Sequence, residues 1–253
     1  MKYLRQRVLN GELLTGVWCN TASSISVEIA GKSGFDWVLI DLEHGIGDLS
    51  HLVPQLQALG SSPTAPIVRI GWNEATRFKR VLDLGASGVM VPYVGSPAEA
   101  REAARAMQYP PQGIRGIATL TRANAFGYEI EEYLEKANDG LLTVVQIETS
   151  HAIETIDEIA AVDHVDVLFV GPMDLSTNLG VQRQFDNPIY RDAVKKVVQA
   201  CRNHGKAPGI LLHSPEQVDG AINDGFRFVA LGSDGGMLTK AMRETAATLN
   251  AKK

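Results

Sequence analysis

Eight times along the chain a short apolar run gives way to a turn and then to a longer stretch whose apolar residues recur every three or four positions. The first run spans 13–20. Ser23 or Ser24 then caps a helix carrying Ile25, Val27, Ile29 and Ala30, and Gly34 closes it. Trp37-Val-Leu-Ile-Asp41 is apolar without a break until its last residue, as expected of a strand buried on both faces. Asp48 caps a second helix with Leu49, Leu52, Val53, Leu56 and Leu59 on one face. A strand at 65–70 follows, then a helix from Asn73 through Phe78, Val81 and Leu82 to Gly85, and a fourth strand at 88–94. Ser96-Pro97 opens the next helix, with proline at its favoured first position. The rhythm breaks at 109–127, a long loop rich in Gly and Pro, and resumes with a helix near 129–138. Strands are expected at 141–148, 165–171, 208–212 and 226–231. Helices are expected from Ser150, over 190–203 and over 215–223. A final helix carries Leu238, Ala241, Met242, Thr245 and Leu249 as a stripe. A short lead-in helix within 1–12 precedes the first strand.

Eight strand-then-helix units predict an α/β fold, a TIM (β/α)8 barrel, formed by residues 1–253 as a single domain. A doubly wound open sheet is the alternative. It usually carries a Gly-rich turn after its first strand, where this chain has Asn20-Thr-Ala-Ser. Hydrophobic residues make up 45% of the chain, enough for one large core. A net charge of −5 with no basic run speaks against nucleic acid or anionic membrane as partner. The two cysteines, Cys19 and Cys201, are far apart. Cys201 and His204 make a CxxH fragment with no second pair to complete a zinc site, and a reduced, cytoplasmic setting is expected. The first residues are too polar for a signal peptide, and no apolar run approaches a membrane span.

In a parallel barrel the C-terminal strand ends converge on one mouth. Here those ends carry Asn20, His44, Arg69, Gln146, Glu148, Asp174 and His213. Glu148 and Asp174 come from adjacent strands, and two neighbouring carboxylates need positive charge. Arg69 supplies it if the group is a structural ion pair. A divalent cation supplies it otherwise, and two carboxylates leave most positions of an octahedral Mg²⁺ or Mn²⁺ open to water and substrate oxygens. No lysine falls at a strand end, so imine chemistry is not expected, and electrophilic help would come from a metal and Arg69. Gly232-Ser-Asp-Gly-Gly236 stands where many barrels bind phosphate, although such glycines often serve only the turn. His51, His151, His164 and His204 lie in helices or turns and read as surface or structural residues.

Several stretches resemble the HpcH/HpaI aldolases, class II pyruvate-dependent enzymes: Gly34-Phe-Asp-Trp37 through Asp41-Leu-Glu-His44, Pro66-Ile-Val-Arg69, Leu82-Asp83-Leu-Gly85, Tyr109-Pro-Pro-Gln-Gly-Ile-Arg-Gly116, Val145-Gln-Ile-Glu148 and Gly171-Pro-Met-Asp174-Leu-Ser176. The likeness runs in order over nearly the whole chain. It implies cleavage of a 4-hydroxy-2-oxo acid, such as 4-hydroxy-2-oxoheptanedioate or 2-dehydro-3-deoxyglucarate, to pyruvate and an aldehyde. It implies Glu148 and Asp174 as ligands of Mg²⁺ or Mn²⁺, with Co²⁺ a further option. His44 would be the proton acceptor, Arg69 would stabilise the enolate, and Asp83 would raise the basicity of the histidine. Gln146, with the backbone of Met173 and Asp174, would hold the pyruvate part. Met173 stands where relatives often carry a smaller residue, and Leu42 where they often carry glycine. Asp83, near the end of its helix, points toward the wrong face of its own barrel, so it is expected to reach His44 of a neighbouring subunit. The resemblance implies a homo-oligomer, typically a hexamer, and the striped last helix fits such contacts. Competing readings are a lyase of CoA thioesters, as in citrate lyase β and malyl-CoA lyase proteins, and a non-catalytic metabolite-binding scaffold. The CoA reading needs a basic groove, for which only Arg115 and Arg122 of the 109–127 loop are on offer.

Overall fold

The computed structural model describes residues 1–252. Eight parallel strands close into a barrel in chain order. They are β1 (Leu14–Cys19), β2 (Trp37–Asp41), β3 (Ala65–Arg69), β4 (Gly88–Val91), β5 (Leu142–Ile147), β6 (Val167–Val170), β7 (Ala207–Leu212) and β8 (Phe228–Ser233). The helices are α1 (Arg5–Leu9), α2 (Ser24–Lys32), α3 (Leu49–Ala58), α4 (Ala75–Asp83), α5 (Pro97–Met107), α6 (Ile130–Gly140), α7 (Ser150–Glu154), α8 (Ile156–Ala160), α9 (Pro172–Asn178), α10 (Pro188–His204), α11 (Val218–Asp224) and α12 (Asp234–Asn250). The expected elements are present, with local differences. The helix expected from Asn73 begins at Ala75, and the one expected from Ser150 is broken at Thr155 into α7 and α8. β4 stops at Val91, so Pro92, Tyr93 and Val94 lie beyond the ladder.

Period-two alternation sorts each strand into an inner and an outer set. Leu14, Trp18, Trp37, Leu39, Ile67, Met90, Leu142, Val144, Val167, Phe169 and Phe228 pack inside the barrel, while outward residues such as Ile40, Val68, Val145 and Leu168 join the layer beneath the helices. The interior is solid. Trp37 stacks on Phe228 with ring centres 4.0 Å apart, and Phe169 meets both edge-on. Gly16 makes this possible, since a Cβ there would lie 2.3 Å from the Trp37 ring. At the opposite end to the mouth, Arg5 of α1 pairs with the buried Asp166 at 2.8 Å. Among the described residues no helix is long and apolar enough to cross a membrane.

Candidate active site

Register explains the first pair at the mouth. Trp37 faces Ala65, Leu39 faces Ile67 and Asp41 faces Arg69 across β2 and β3, and all share the inward parity. The last step of that ladder therefore sets an acid beside a guanidinium. Arg69 Nε and Nη2 donate to the two Asp41 oxygens at 2.9 and 2.6 Å, and Nη1 lies 2.8 Å from Glu43 Oε2. Asp41 Oδ1 also accepts the backbone N–H groups of Glu43 and His44 at 3.0 and 3.2 Å, folding the chain back over the strand end. Burial alone would raise the Asp41 carboxyl, but Arg69 overrides it and holds Asp41 below its ordinary value. A guanidinium has five N–H groups. These contacts use one each on Nε, Nη1 and Nη2, which leaves Arg69 two for a ligand. Its Cζ sits 5.5 Å from the Trp18 ring centre. Arg69 is thus forked to Asp41 and Glu43 instead of neutralising Glu148 and Asp174.

The second pair grows from β5 and β6. Gln146 and Glu148 continue the inward parity of Leu142 and Val144, and both are buried. Gln146 Nε2 donates to Glu148 Oε1 at 2.8 Å, and the backbone N–H of Tyr93 donates to Oε2 at 3.1 Å. Gly171, between β6 and α9, leaves room for this carboxylate, because a Cβ there would fall 2.3 Å from Oε1. Asp174 sits in the first turn of α9, half-buried, and its Oδ1 accepts from the Tyr93 hydroxyl at 3.1 Å. Tyr93 thereby touches both acids from one backbone position. Burial and the Asp174 bond push its phenol up to about 12.

Three carboxylates, Asp41, Glu43 and Glu148, thus gather around a single guanidinium, with Asp174 tied to Glu148 through Tyr93. Burial, reinforced by the charges of Asp174 and Glu43, pushes Glu148 up to about 7. Burial likewise raises Glu43 above its ordinary value. Gln146 Oε1 is buried without a hydrogen-bond partner. An acid held against its preference, a second acid beside it and an orphaned carbonyl oxygen fit a hard divalent cation. Among the described residues no third His, Cys, Asp or Glu joins a cation-holding group, so water and substrate oxygens would complete the shell.

The other expected residues divide. His44 lies at the rim, 70% exposed at its side chain, with Nε2 3.8 Å from Glu43 Oε2. Met173 is exposed beside Asp174. Asp83 is not at this mouth. It ends α4 and takes a 2.8 Å bond from Arg115 Nη2 on the outer side of the barrel. His213, beyond β7, leans on Phe185 with centres 6.0 Å apart and takes no part in the carboxylate group. The 232–236 turn is filled from within: Asp234 accepts from Asn20 N, Ser26 Oγ and Thr21 Oγ1, while the N–H groups of Gly235 and Gly236 go to Asp234 and Ser233. An acid occupies the place an anion would need. The loop arginines make no basic groove either. Arg115 is fully buried against the rings of Tyr109 and Tyr133, and Arg122 donates to the Leu84 carbonyl. A cavity of about 810 Å³ lies between α10 and α11, and none of Asp41, Glu43, Glu148 and Asp174 lines it.

The residue that sequence patterning passed over is Tyr93. Ending an apolar run, it reads as one more strand residue, and only Pro92 before it hints that the ladder has stopped.

Residues 14–241 match the family model described as HpcH/HpaI aldolase/citrate lyase. A 4-hydroxy-2-oxo-heptane-1,7-dioate aldolase of Escherichia coli is 40% identical over 238 residues, spanning 94% of this chain and 90% of that one. A 5-keto-4-deoxy-D-glucarate aldolase of Enterobacter sp. is 39% identical over 93% of this chain and 91% of that one. A crystal structure of an HpcH/HpaI aldolase/citrate lyase family protein from Burkholderia cenocepacia superposes with a TM-score of 0.94 at 32% identity, covering 99% of this chain and 100% of that chain. The chain belongs to the HpcH/HpaI aldolase/citrate lyase family and is a carbon–carbon lyase of the aldolase kind.

Proposed function

We propose that residues 1–253 act as one cytoplasmic catalytic unit that reversibly cleaves a 4-hydroxy-2-oxo acid to pyruvate and an aldehyde with the help of Mg²⁺ or Mn²⁺. The substrates in the names of its relatives, a heptanedioate and a glucarate derivative, set the class: a 2-oxo acid carrying a second carboxylate. The observation that carries this reading is the pair of acids joined through Tyr93 beside the half-committed Arg69.

Glu148 and Asp174 would hold the cation, and when bound it supplies Lewis-acid polarisation of the substrate's ketone. Gln146 orients the pyruvate part, together with the first-turn N–H groups of Met173 and Asp174, which have no acceptor within α9. His44, at the open rim, accepts the proton of the C4 hydroxyl. As that proton leaves, the C3–C4 bond breaks, the aldehyde departs, and the electron pair passes toward the C2 oxygen as a pyruvate enolate. The two unused N–H groups of Arg69 face that developing charge, a contribution on the order of 3 kcal/mol for a preorganised donor. Protonation at C3 then gives pyruvate. Asp83 lies on the outer side with Arg115, away from the mouth of its own barrel; in this reading it serves His44 of a second copy. That places the complete site at a subunit interface of a homo-oligomer, with a hexamer as the proposed state.

Pyruvate release from a panel of 4-hydroxy-2-oxo acids tests this. Release should stop with chelator and return with added Mg²⁺ or Mn²⁺, and Glu148→Gln should be inactive. Full-speed cleavage by thoroughly demetallated protein would reject the proposal.

A further inference from the structure

Tyr93 is one of few non-glycine residues here with left-handed backbone, at φ +51°. Such a conformation is uncommon and costs energy, and it persists where the surroundings enforce it. Pro92 and Val94, both buried, pin the chain on either side. Between them Tyr93 is 41% exposed, so it is not there to fill the core. What the kink achieves is delivery. Its N–H reaches Glu148 Oε2 at 3.1 Å, and its hydroxyl reaches Asp174 Oδ1 at 3.1 Å. The two acids belong to different elements, one beyond β5 and one in α9, and no other residue among those described bonds both. Glu148 has a second donor in Gln146, but Asp174 accepts no side-chain hydrogen bond except from Tyr93 among the described residues. Without the phenol, the Asp174 carboxylate is free to rotate at a half-open mouth.

We propose that Tyr93 is the positioning residue of the carboxylate pair: its N–H and hydroxyl fix Glu148 and Asp174 in the mutual orientation that accepts a divalent cation. The inference rests on the cation reading above and adds to it a group outside the ligand set. Groups that orient metal ligands change affinity by roughly 10–100-fold when removed.

The test is Tyr93→Phe, which keeps the ring and the backbone N–H and deletes the hydroxyl alone. Free Mn²⁺ is followed by electron paramagnetic resonance during titration of the intact protein. The variant should bind Mn²⁺ about tenfold more weakly, with an unchanged unfolding temperature. The Mn²⁺ concentration for half-maximal turnover should rise by the same factor. Tyr128→Phe, at a tyrosine that is 93% exposed and remote from the acids, should change neither constant. Equal Mn²⁺ affinity in wild type and Tyr93→Phe overturns the proposal while leaving the cation reading intact. A lowered unfolding temperature with unchanged affinity also overturns it, since that is what a purely structural tyrosine would give. Failure of the wild-type chain to bind Mn²⁺ at all would sink both readings.

Discussion

Glu148 concentrates the electrostatic tension of the mouth in one carboxyl group. Its position is set by Gln146, Tyr93 and the bare Gly171, and none of them carries a positive charge. Burial therefore wins and the group titrates near 7. Two consequences share that proton. The unfolded chain loses it near the ordinary carboxylate value, so between there and about 7 the folded, cation-free protein binds more protons than the unfolded one. Fold stability then falls as pH rises through that window. A cation held by Glu148 as proposed would have to displace the same proton. Mn²⁺ affinity should accordingly weaken by about tenfold for each pH unit below about 7 and level off above it. Calorimetric titrations between pH 5.5 and 8 would read this directly, and a flat profile would mean that Glu148 is already ionised or is not a ligand.

At the scale of elements, the turn after β2 carries more than its length suggests. Asp41 ends the strand, binds Arg69 with both oxygens and receives the N–H groups of Glu43 and His44, so one acid sets both the guanidinium and the rim. Gly45 lets this turn close. A Cβ there would stand 2.1 Å from the Asp41 carbonyl oxygen and 3.3 Å from that of Asn20. Gly45→Ala must push the turn outward and carry His44 with it. Misplacement of a reacting group by about 1 Å can cost up to about a hundredfold in rate. Turnover of Gly45→Ala should fall toward that figure while far-UV circular dichroism stays native, and near-normal turnover would show that the turn tolerates the shift. The strands and most of the helices were legible in the sequence because burial on both faces of a parallel strand writes an unbroken apolar run, and the helices between them repeat at three to four residues; the short α9, which carries Asp174, was not, and its residues read as a turn. Glu148 and Asp174 were legible as acids at such ends. The partner of Arg69 was not, because it depends on the β2–β3 register, which no local pattern specifies. Tyr93 was hidden for a related reason. Its left-handed backbone sits between buried neighbours on both sides, and an aromatic residue just past Val-Met-Val-Pro reads as more strand.

On the scale of the whole molecule, α12 is the element that its own barrel does not account for. It is 17 residues long and none of them is buried. Leu238, Met242 and Leu249 are 54, 63 and 65% exposed, and their spacing with Thr245 places them on one face. An isolated helix gains little from leaving such a stripe in water, whereas burying each large side chain is worth roughly 1.5–3 kcal/mol. Coverage by a second copy, as proposed above, would account for that face, and the same assembly would bring Asp83 of one chain toward His44 of another. Replacing Leu238 and Met242 with glutamate places two charges on the stripe and touches none of the mouth residues. The variant should sediment as a smaller species than wild type in analytical ultracentrifugation. Its turnover should fall with the loss of assembly, while Mn²⁺ affinity, which depends on Glu148, Asp174 and Tyr93 of a single chain, stays as it was. Unchanged sedimentation would remove α12 from the interface. A smaller species with undiminished turnover would show that each barrel completes its site alone, and Asp83 would then be only the counter-ion of the buried Arg115.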